Sequence, residues 1–368
     1  MKQALIIGSA FIGVIVGAGF ASGQEVLQYF TSFGIMGIIG AILATALFAY
    51  AGMALVWIGS RVKTTSHKEV IYQISGKVLG TIIDYVLIFT LFGVGVVMIA
   101  GAGSNLNQQF GLPVVAGTIL MTLLVLMAGM LKVDRVVNII GGITPFLILF
   151  VLLISVFSFM TADGSFAELD SQANELTTTL PNWFISAINY VSFNIAVGAS
   201  MALVMGGAET NRKTAALGGL FGGLGIGILI ILSNLAIFTK VEYAGQADMP
   251  MLAIVNDVSP VLGVIMSIVV FAMIFNTALS MFYSFAARFS TVETKQFKVF
   301  FTGTMVVGFI VSFFGFTKLV AYFYPLIGYL GLTLIAVLIV TPFRMKKAFK
   351  EEEKSQPQSV EQKQRATS

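Results

Sequence analysis

The residues with the clearest capacity for chemistry share one apolar run: Gly17-Ala-Gly-Phe-Ala-Ser-Gly23, followed directly by Gln24 and Glu25. Each glycine weakens a helix by about 1 kcal/mol relative to alanine, so three in seven residues let the stretch open at modest cost. Opening releases main-chain carbonyls and N–H groups that must find partners away from water, and an ion or a polar solute is such a partner. Glu25 lies about 12 Å, some eight residues, inside the outer end of the run, deeper than any other acidic residue; Asp84 and Glu209 sit near the ends of their runs. A buried ionisable group in such a position is costly and points to function. Ser22-Gly-Gln-Glu25 also has the spacing of a capping box, which a helix restarting at Gly23 would use for its first N–H groups. The two roles are compatible. The Gly13/Gly17 and Gly19/Gly23 pairs also have the spacing of close helix packing. The glycine pattern is not a dinucleotide loop, since no strand precedes it.

These residues need elements that lie in lipid. Of the 368 residues 57% are hydrophobic and 10% charged, with a mean hydropathy of +0.94, which excludes an ordinary soluble domain. The absence of cysteine excludes disulfides and thiolate metal sites, and the single histidine, His67, leaves little scope for zinc or a histidine-based triad. No Walker motif is present, and the chain does not read as an enzyme. The net charge of +4 comes mostly from residues 344–368, so the basic balance reports a tail and no nucleic-acid partner.

A hydrocarbon core of about 30 Å takes about 20 apolar residues as helix. Ten runs qualify: Ala4 to Phe33, Ile35 to Gly59, Thr81 to Gly103, Leu112 to Leu131, Val136 to Met160, Asn182 to Ala208, Ala215 to Thr239, Pro260 to Ala287, Gln296 to Gly315 and Lys318 to Thr341. None alternates as a barrel strand would. With the N-terminus inside, every basic residue except Lys240 and Lys318 falls in a cytoplasmic segment, while the loop after the fifth run carries Asp163, Glu168, Asp170 and Glu175. The expected location is a bacterial plasma membrane, crossed many times, with both termini cytoplasmic. The start of the chain also has features of a secretory signal peptide, an alternative that the mass of the mature N-terminus separates.

The connections repeat. Arg61 to Gly80 and Lys240 to Ser259 are both 20 residues long and contain the amphipathic pieces His67 to Ser75 and Met249 to Val258. They are equivalent if residues 4–160 and 182–341 form two repeats of five spans, the second inverted because five is odd. In that plan solutes bind near the midplane at discontinuous helices, so the sixth span should also be interrupted. It carries Asn194, Gly198 and Ser200 in its middle third. The expected fold is therefore an all-α membrane protein of ten transmembrane helices, helices 1 and 6 broken, over residues 1–343, with a basic, disordered tail at 344–368.

Gly17 to Glu25, the ten-span layout and the polar cluster Asn276-Thr277-Ala-Leu-Ser280 in span eight together resemble the YkvI-type bacterial membrane proteins. That group is similar to the amino acid, polyamine and organocation transporter superfamily, with the five-plus-five LeuT fold. The resemblance covers residues 1 to 343. It implies a small-molecule substrate held between helices one and six: by Gly17, Ala18, Gly19, Phe20, Ala21, Ser22, Gly23, Gln24 and Glu25, and by Tyr190, Phe193, Asn194, Gly198 and Ser200. In sodium-coupled relatives a cation lies between carbonyls of helix one, here Gly17 and Phe20, and hydroxyls of helix eight, here Thr277 and Ser280 with Asn276 beside them. Sodium as coupling ion is the only cofactor implied. The alternative for both hydroxyls is a bond to a carbonyl one turn back. Gln24 and Glu25 depart from the better-known relatives, which seldom place an acid there. A protonatable Glu25 would allow proton coupling, and an ionised one could hold an amine or a cation.

The expected activity is secondary active transport of an amino-acid-like solute or an amine. The alternative is a receptor that keeps the fold and binds without translocating. Gly218 to Gly227 in span seven reads as a packing face, and Phe20, Tyr190 and Phe193 as gate or core. The basic run Arg344 to Lys350 suits anionic lipid headgroups. Oligomeric state is not legible.

Overall fold

A computed structural model describes residues 1–63, 67–131, 144–162 and 164–365, and every regular element among them is helical. The helices are α1 (Lys2–Ile15), α2 (Ala18–Ser22), α3 (Gln24–Tyr29), α4 (Gly34–Val62), α5 (His67–Phe110), α6 (Val114–Gly129), α7 (Thr144–Met160) and α8 (Phe166–Asn174). They continue as α9 (Trp183–Ala208), α10 (Arg212–Phe238), α11 (Val241–Ala244), α12 (Pro250–Val258), α13 (Pro260–Ala287), α14 (Lys295–Ser312) and α15 (Phe316–Arg365). Residues 136–143 of the fifth run, with Lys132, Arg135 and Asp163, lie outside the described residues.

Among the described residues, six segments are long and apolar enough to cross a membrane: Gln24–Val62, Ser75–Phe110, Trp183–Ala208, Arg212–Phe238, Pro260–Ala287 and Phe316–Thr341. Lys2–Ile15, Val114–Gly129 and Ile148–Met160 are shorter apolar helices. The outer surface carries exposed Ile39, Ile42, Leu153, Val156, Ile265, Ile268, Val306 and Ile310. Such a surface suits hydrocarbon and would be a liability in water. The protein is a multi-pass membrane protein.

Where hydrophobicity cannot drive helices together because the solvent is itself apolar, close backbone contact does so. The glycine face of α10 is such a contact. A Cβ at Gly219 would lie 2.1 Å from the Gly52 carbonyl oxygen of α4, one at Gly223 2.2 Å from the Phe48 carbonyl, and one at Gly222 3.0 Å from the Gly8 carbonyl of α1. Thus α10 wedges between α1 and α4, and Phe11 of α1 is fully buried there. Elsewhere polar groups join elements. Asp170 of α8 accepts from the Ile35 N–H at 2.7 Å and so caps the start of α4. It can approach because Gly34, at φ +56°, has no Cβ to meet the carboxylate.

Two expectations are corrected. The sixth run is one uninterrupted helix, α9. Its middle third holds a single glycine, and Asn194, expected to open the helix, donates to the Tyr190 carbonyl one turn back at 3.0 Å. Gly198 gives room to a neighbour: a Cβ there would lie 2.3 Å from Ile15 Cδ1. The tail, expected as disordered, continues α15 as helix to Arg365; Glu351, Glu352, Glu353 and Lys354 are good helix formers. The amphipathic piece after Arg61 is helical, and a kink at Gly76, with φ +75° and ψ 178°, separates it from the long helix that follows.

The glycine contacts can be tested by adding one methyl group. Gly219→Ala should destabilise the protein by about 1–3 kcal/mol through overpacking. Gly303→Ala, with open space around it, should be neutral or slightly stabilising. Thermal unfolding in detergent compares the two, and equal midpoints would remove Gly219 from the packing account.

Candidate functional site

The first run comes apart at two places. α1 ends at Ile15, Val16 takes φ −77° and ψ 82°, and Gly17 is extended at φ −96° and ψ −167°. One turn of helix later, Gly23 adopts the left-handed φ of +82°, and α3 begins. The Gly17 N–H turns to the Ile15 carbonyl at 2.9 Å instead of the Gly13 carbonyl. Among the described residues, no backbone N–H reaches the carbonyls of Gly13, Val14 or Val16. The carbonyls of Gly17 and Phe20, expected as ion ligands, are occupied by the N–H groups of Ala21 and Gly23, each at 3.0 Å.

The capping box does not form. Ser22 closes α2 by donating to the Gly19 carbonyl at 2.7 Å and accepts from the Gln24 N–H at 3.1 Å. That leaves the Glu25 side chain free to turn away. Its carboxylate lies across Gly19, where a Cβ would meet Oε1 at 1.8 Å, and accepts from the Tyr190 hydroxyl at 3.3 Å. Gly19 is therefore required for the carboxylate to occupy this position.

A cavity of about 560 Å³ adjoins the break. Of the residues expected to bind, Gly17, Ala18, Gly19, Glu25, Phe193, Asn194, Ser200, Asn276, Thr277 and Ser280 line it. Phe20, Ala21, Ser22, Gly23, Gln24, Tyr190 and Gly198 do not; they are buried behind its wall or, as with Gly198, pack helix on helix. Gly13, Val14 and Val16 join the lining, so the three carbonyls without a backbone N–H belong to residues of this wall. Gly17 faces Thr277, whose Oγ1 would lie 3.7 Å from a Cβ added there.

The hydroxyls of Thr277 and Ser280 make no hydrogen bond among the described residues, whereas Thr90, Thr122 and Ser155 bond to carbonyls one turn back. The back-bonded alternative for the two span-eight hydroxyls is thus not adopted. They stand opposite the opened backbone, an arrangement of oxygen atoms able to receive a cation or a polar solute.

Beyond Glu25 the path is filled. Tyr190 packs against Tyr29 at 4.9 Å and Phe30 at 5.1 Å between ring centroids, and Phe193 stacks on Tyr324 at 4.2 Å. Hydrogen bonds fasten the same layer: Tyr29 to Asn189 at 3.2 Å, Asn189 to the Pro325 carbonyl at 3.0 Å, and Ser192 to the Gly328 carbonyl at 2.6 Å. The cavity extends the other way, past Met201, Val204 and Ser284 to Arg288, which pairs with Asp84 of α5.

Tyr324, Ser284 and Arg288 are lining residues that sequence reading missed. Ser284 and Arg288 continue the spacing of Thr277 and Ser280 along one face of α13, so a helical stripe search finds them. Tyr324 carries no local signal; only the packing of α15 against α9 brings it to the site.

No protein-family model matches the chain. It is 27% identical over 332 residues to the membrane protein YkvI of Bacillus subtilis (strain 168), covering 89% of this chain and 93% of that one. It is also 27% identical over 351 residues to YyaD of the same organism, covering 94% and 98%. Among solved structures it superimposes on MhsT in complex with L-phenylalanine with a TM-score of 0.61 at 14% identity, over 93% of this chain and 97% of that one. A Na+-coupled sialic acid symporter in a substrate-bound outward-open state gives a TM-score of 0.55 at 18% identity, over 91% and 78%. The chain is homologous to YkvI of B. subtilis and similar in structure to the LeuT-fold proteins MhsT and the sialic acid symporter.

Proposed function

We propose that the protein is a secondary active transporter that moves a small organic solute, amino-acid-like or an amine, by alternating access coupled to sodium or protons. The observation that carries this reading is the cavity at the opened first helix, where carbonyls of Gly13, Val14 and Val16 lack backbone partners and Thr277 and Ser280 present unbonded hydroxyls. Backbone opened at membrane depth is tolerated where it lines a cavity, and free carbonyls and hydroxyls facing one another there can receive a polar solute or a cation. The likeness to a Na+-coupled symporter and to a protein holding L-phenylalanine supports the same reading.

In this proposal the ten helices form two inverted repeats of five, at 4–160 and 182–341, in the plasma membrane with both termini in the cytoplasm. The Arg344 to Lys350 run then lies at the cytoplasmic face, against anionic headgroups. With that orientation the cavity, which ends at Arg288 and is blocked beyond Glu25, faces inward. The aromatic layer around Tyr190 is the closed outer gate, and the Asp84–Arg288 pair stands at the inner mouth. Sodium, an oxygen-seeking cation, would sit between the carbonyls of Val14 and Val16 and the hydroxyls of Thr277 and Ser280. Glu25 is the group through which a proton could couple instead.

Gradient-driven accumulation in proteoliposomes is the direct test; a protein that binds solute without accumulating it is a receptor. Glu25→Gln should abolish coupled uptake or change its pH dependence while membrane insertion stays intact, and unchanged uptake would reduce Glu25 to part of the wall. The Thr277→Ala, Ser280→Ala double variant should raise the sodium concentration for half-maximal stimulation by about tenfold or more, equivalent to about 1.4 kcal/mol. If the unmodified protein ignores sodium, the proton is the coupling ion.

A further inference from the structure

We propose that the cavity selects an organic ammonium ion with an apolar body and no carboxylate, and that Glu25 is its counter-ion. The inference rests on the proposed function in taking this cavity as the solute site.

Among the described residues Glu25 is the one acidic residue of the lining, and it stands at the closed end, only 5% exposed. Tyr190 supplies a single hydrogen bond to one carboxylate oxygen, and the other lies over Gly19. Among the described residues no lysine or arginine lines the cavity at this level. The one basic residue that lines it among the described residues, Arg288, follows the end of α13 about 16 Å beyond Thr277, eleven residues at about 1.5 Å each, and is paired with Asp84. A carboxylate this deep is held ionised only by a positive partner. A solute bearing its own carboxylate would bring a second negative charge toward Glu25, with no side-chain cation beside it.

The rest of the wall suits a greasy cation. Phe193 and Tyr324, stacked with planes 23° apart, close the same end and offer aromatic surface to an ammonium group. Leu91, Val94, Met98 and Met273 provide apolar and adaptable contacts for an alkyl or aryl body. The volume of about 560 Å³ falls within the range of small-molecule sites.

The test uses the purified full-length protein in detergent at pH 7, where simple amines are protonated. Thermal shift and titration calorimetry compare phenethylamine and isopentylamine with phenylalanine, leucine and 3-phenylpropionate. We expect both amines to bind at least tenfold more tightly than the corresponding amino acids, 3-phenylpropionate not to bind, and Glu25→Gln to lose at least tenfold in amine affinity. Amino acids that bind as tightly as the amines overturn the proposal, as do binding of 3-phenylpropionate, absence of amine binding, or unchanged amine affinity in Glu25→Gln. Should Glu25→Gln not fold, the ranking of ligand classes on the unmodified protein decides alone. Amine binding without gradient-driven uptake would sink the transporter reading and leave this inference standing. Accumulation of an amino acid without amine binding does the reverse.

Discussion

Every backbone polar group inside hydrocarbon must find a partner, and the rest of this structure depends on how that demand is met at residues 13–23. Gly17 and Gly23 allow the chain to leave helical geometry there, and the carbonyls of Gly13, Val14 and Val16 lose their N–H partners as a result. Open backbone of this kind is tolerable only where it borders a cavity or is buried in protein. The surrounding helices provide both: α13 brings Thr277 and Ser280 to one side, and α10, held close by its glycines, backs the other. The packing of α10 on α1 and α4 and the opening of the first helix are therefore one problem. A helix with two breaks has little stiffness of its own, and its position is set by its neighbours.

The two halves of the chain meet the demand differently. The sixth run stays helical and contributes side chains, with Phe193, Asn194 and Ser200 facing the cavity while its own main-chain bonds remain intact. The main-chain chemistry of the site is thus one-sided. Because α9 is rigid, its Tyr190 and Phe193 can act as fixed points for an aromatic layer that joins α3, α9 and α15. The hydrogen bonds of Asn189 and Ser192 to carbonyls near Pro325 and Gly328 tie that layer together. Movement of α15 against α9 would have to break these bonds.

Glu25 links the layer to the site. Its hydrogen bond from Tyr190 places a carboxylate between the aromatic seal and the open cavity. A change in its charge or in its partner would be felt on both sides, since unsolvated charge is expensive wherever it lies. The absence of a side chain at Gly19 is what lets the carboxylate lie there, so the glycine motif serves two ends: it opens the backbone and clears the space above it.

The residues Gly17 to Gly23 determined, with no structure in view, that the first helix would break, because glycine's low helix propensity is a local property. Apolar run lengths similarly determined a multi-pass helical protein, since the bilayer's thickness sets a length that any sequence can be measured against. Thr277 and Ser280 were legible as candidates, but whether their hydroxyls bond one turn back was decided by neighbours. The capping role of Glu25 was a local inference that a tertiary contact overrode, since Tyr190 offered the carboxylate a partner; the break at Asn194 failed locally, its side chain bonding the Tyr190 carbonyl one turn back. Tyr324 had no sequence signal at all. Propensity and hydropathy act between residues a few positions apart, whereas the walls of this cavity are made by helices hundreds of residues apart in the chain, and only their packing decides which side chains meet.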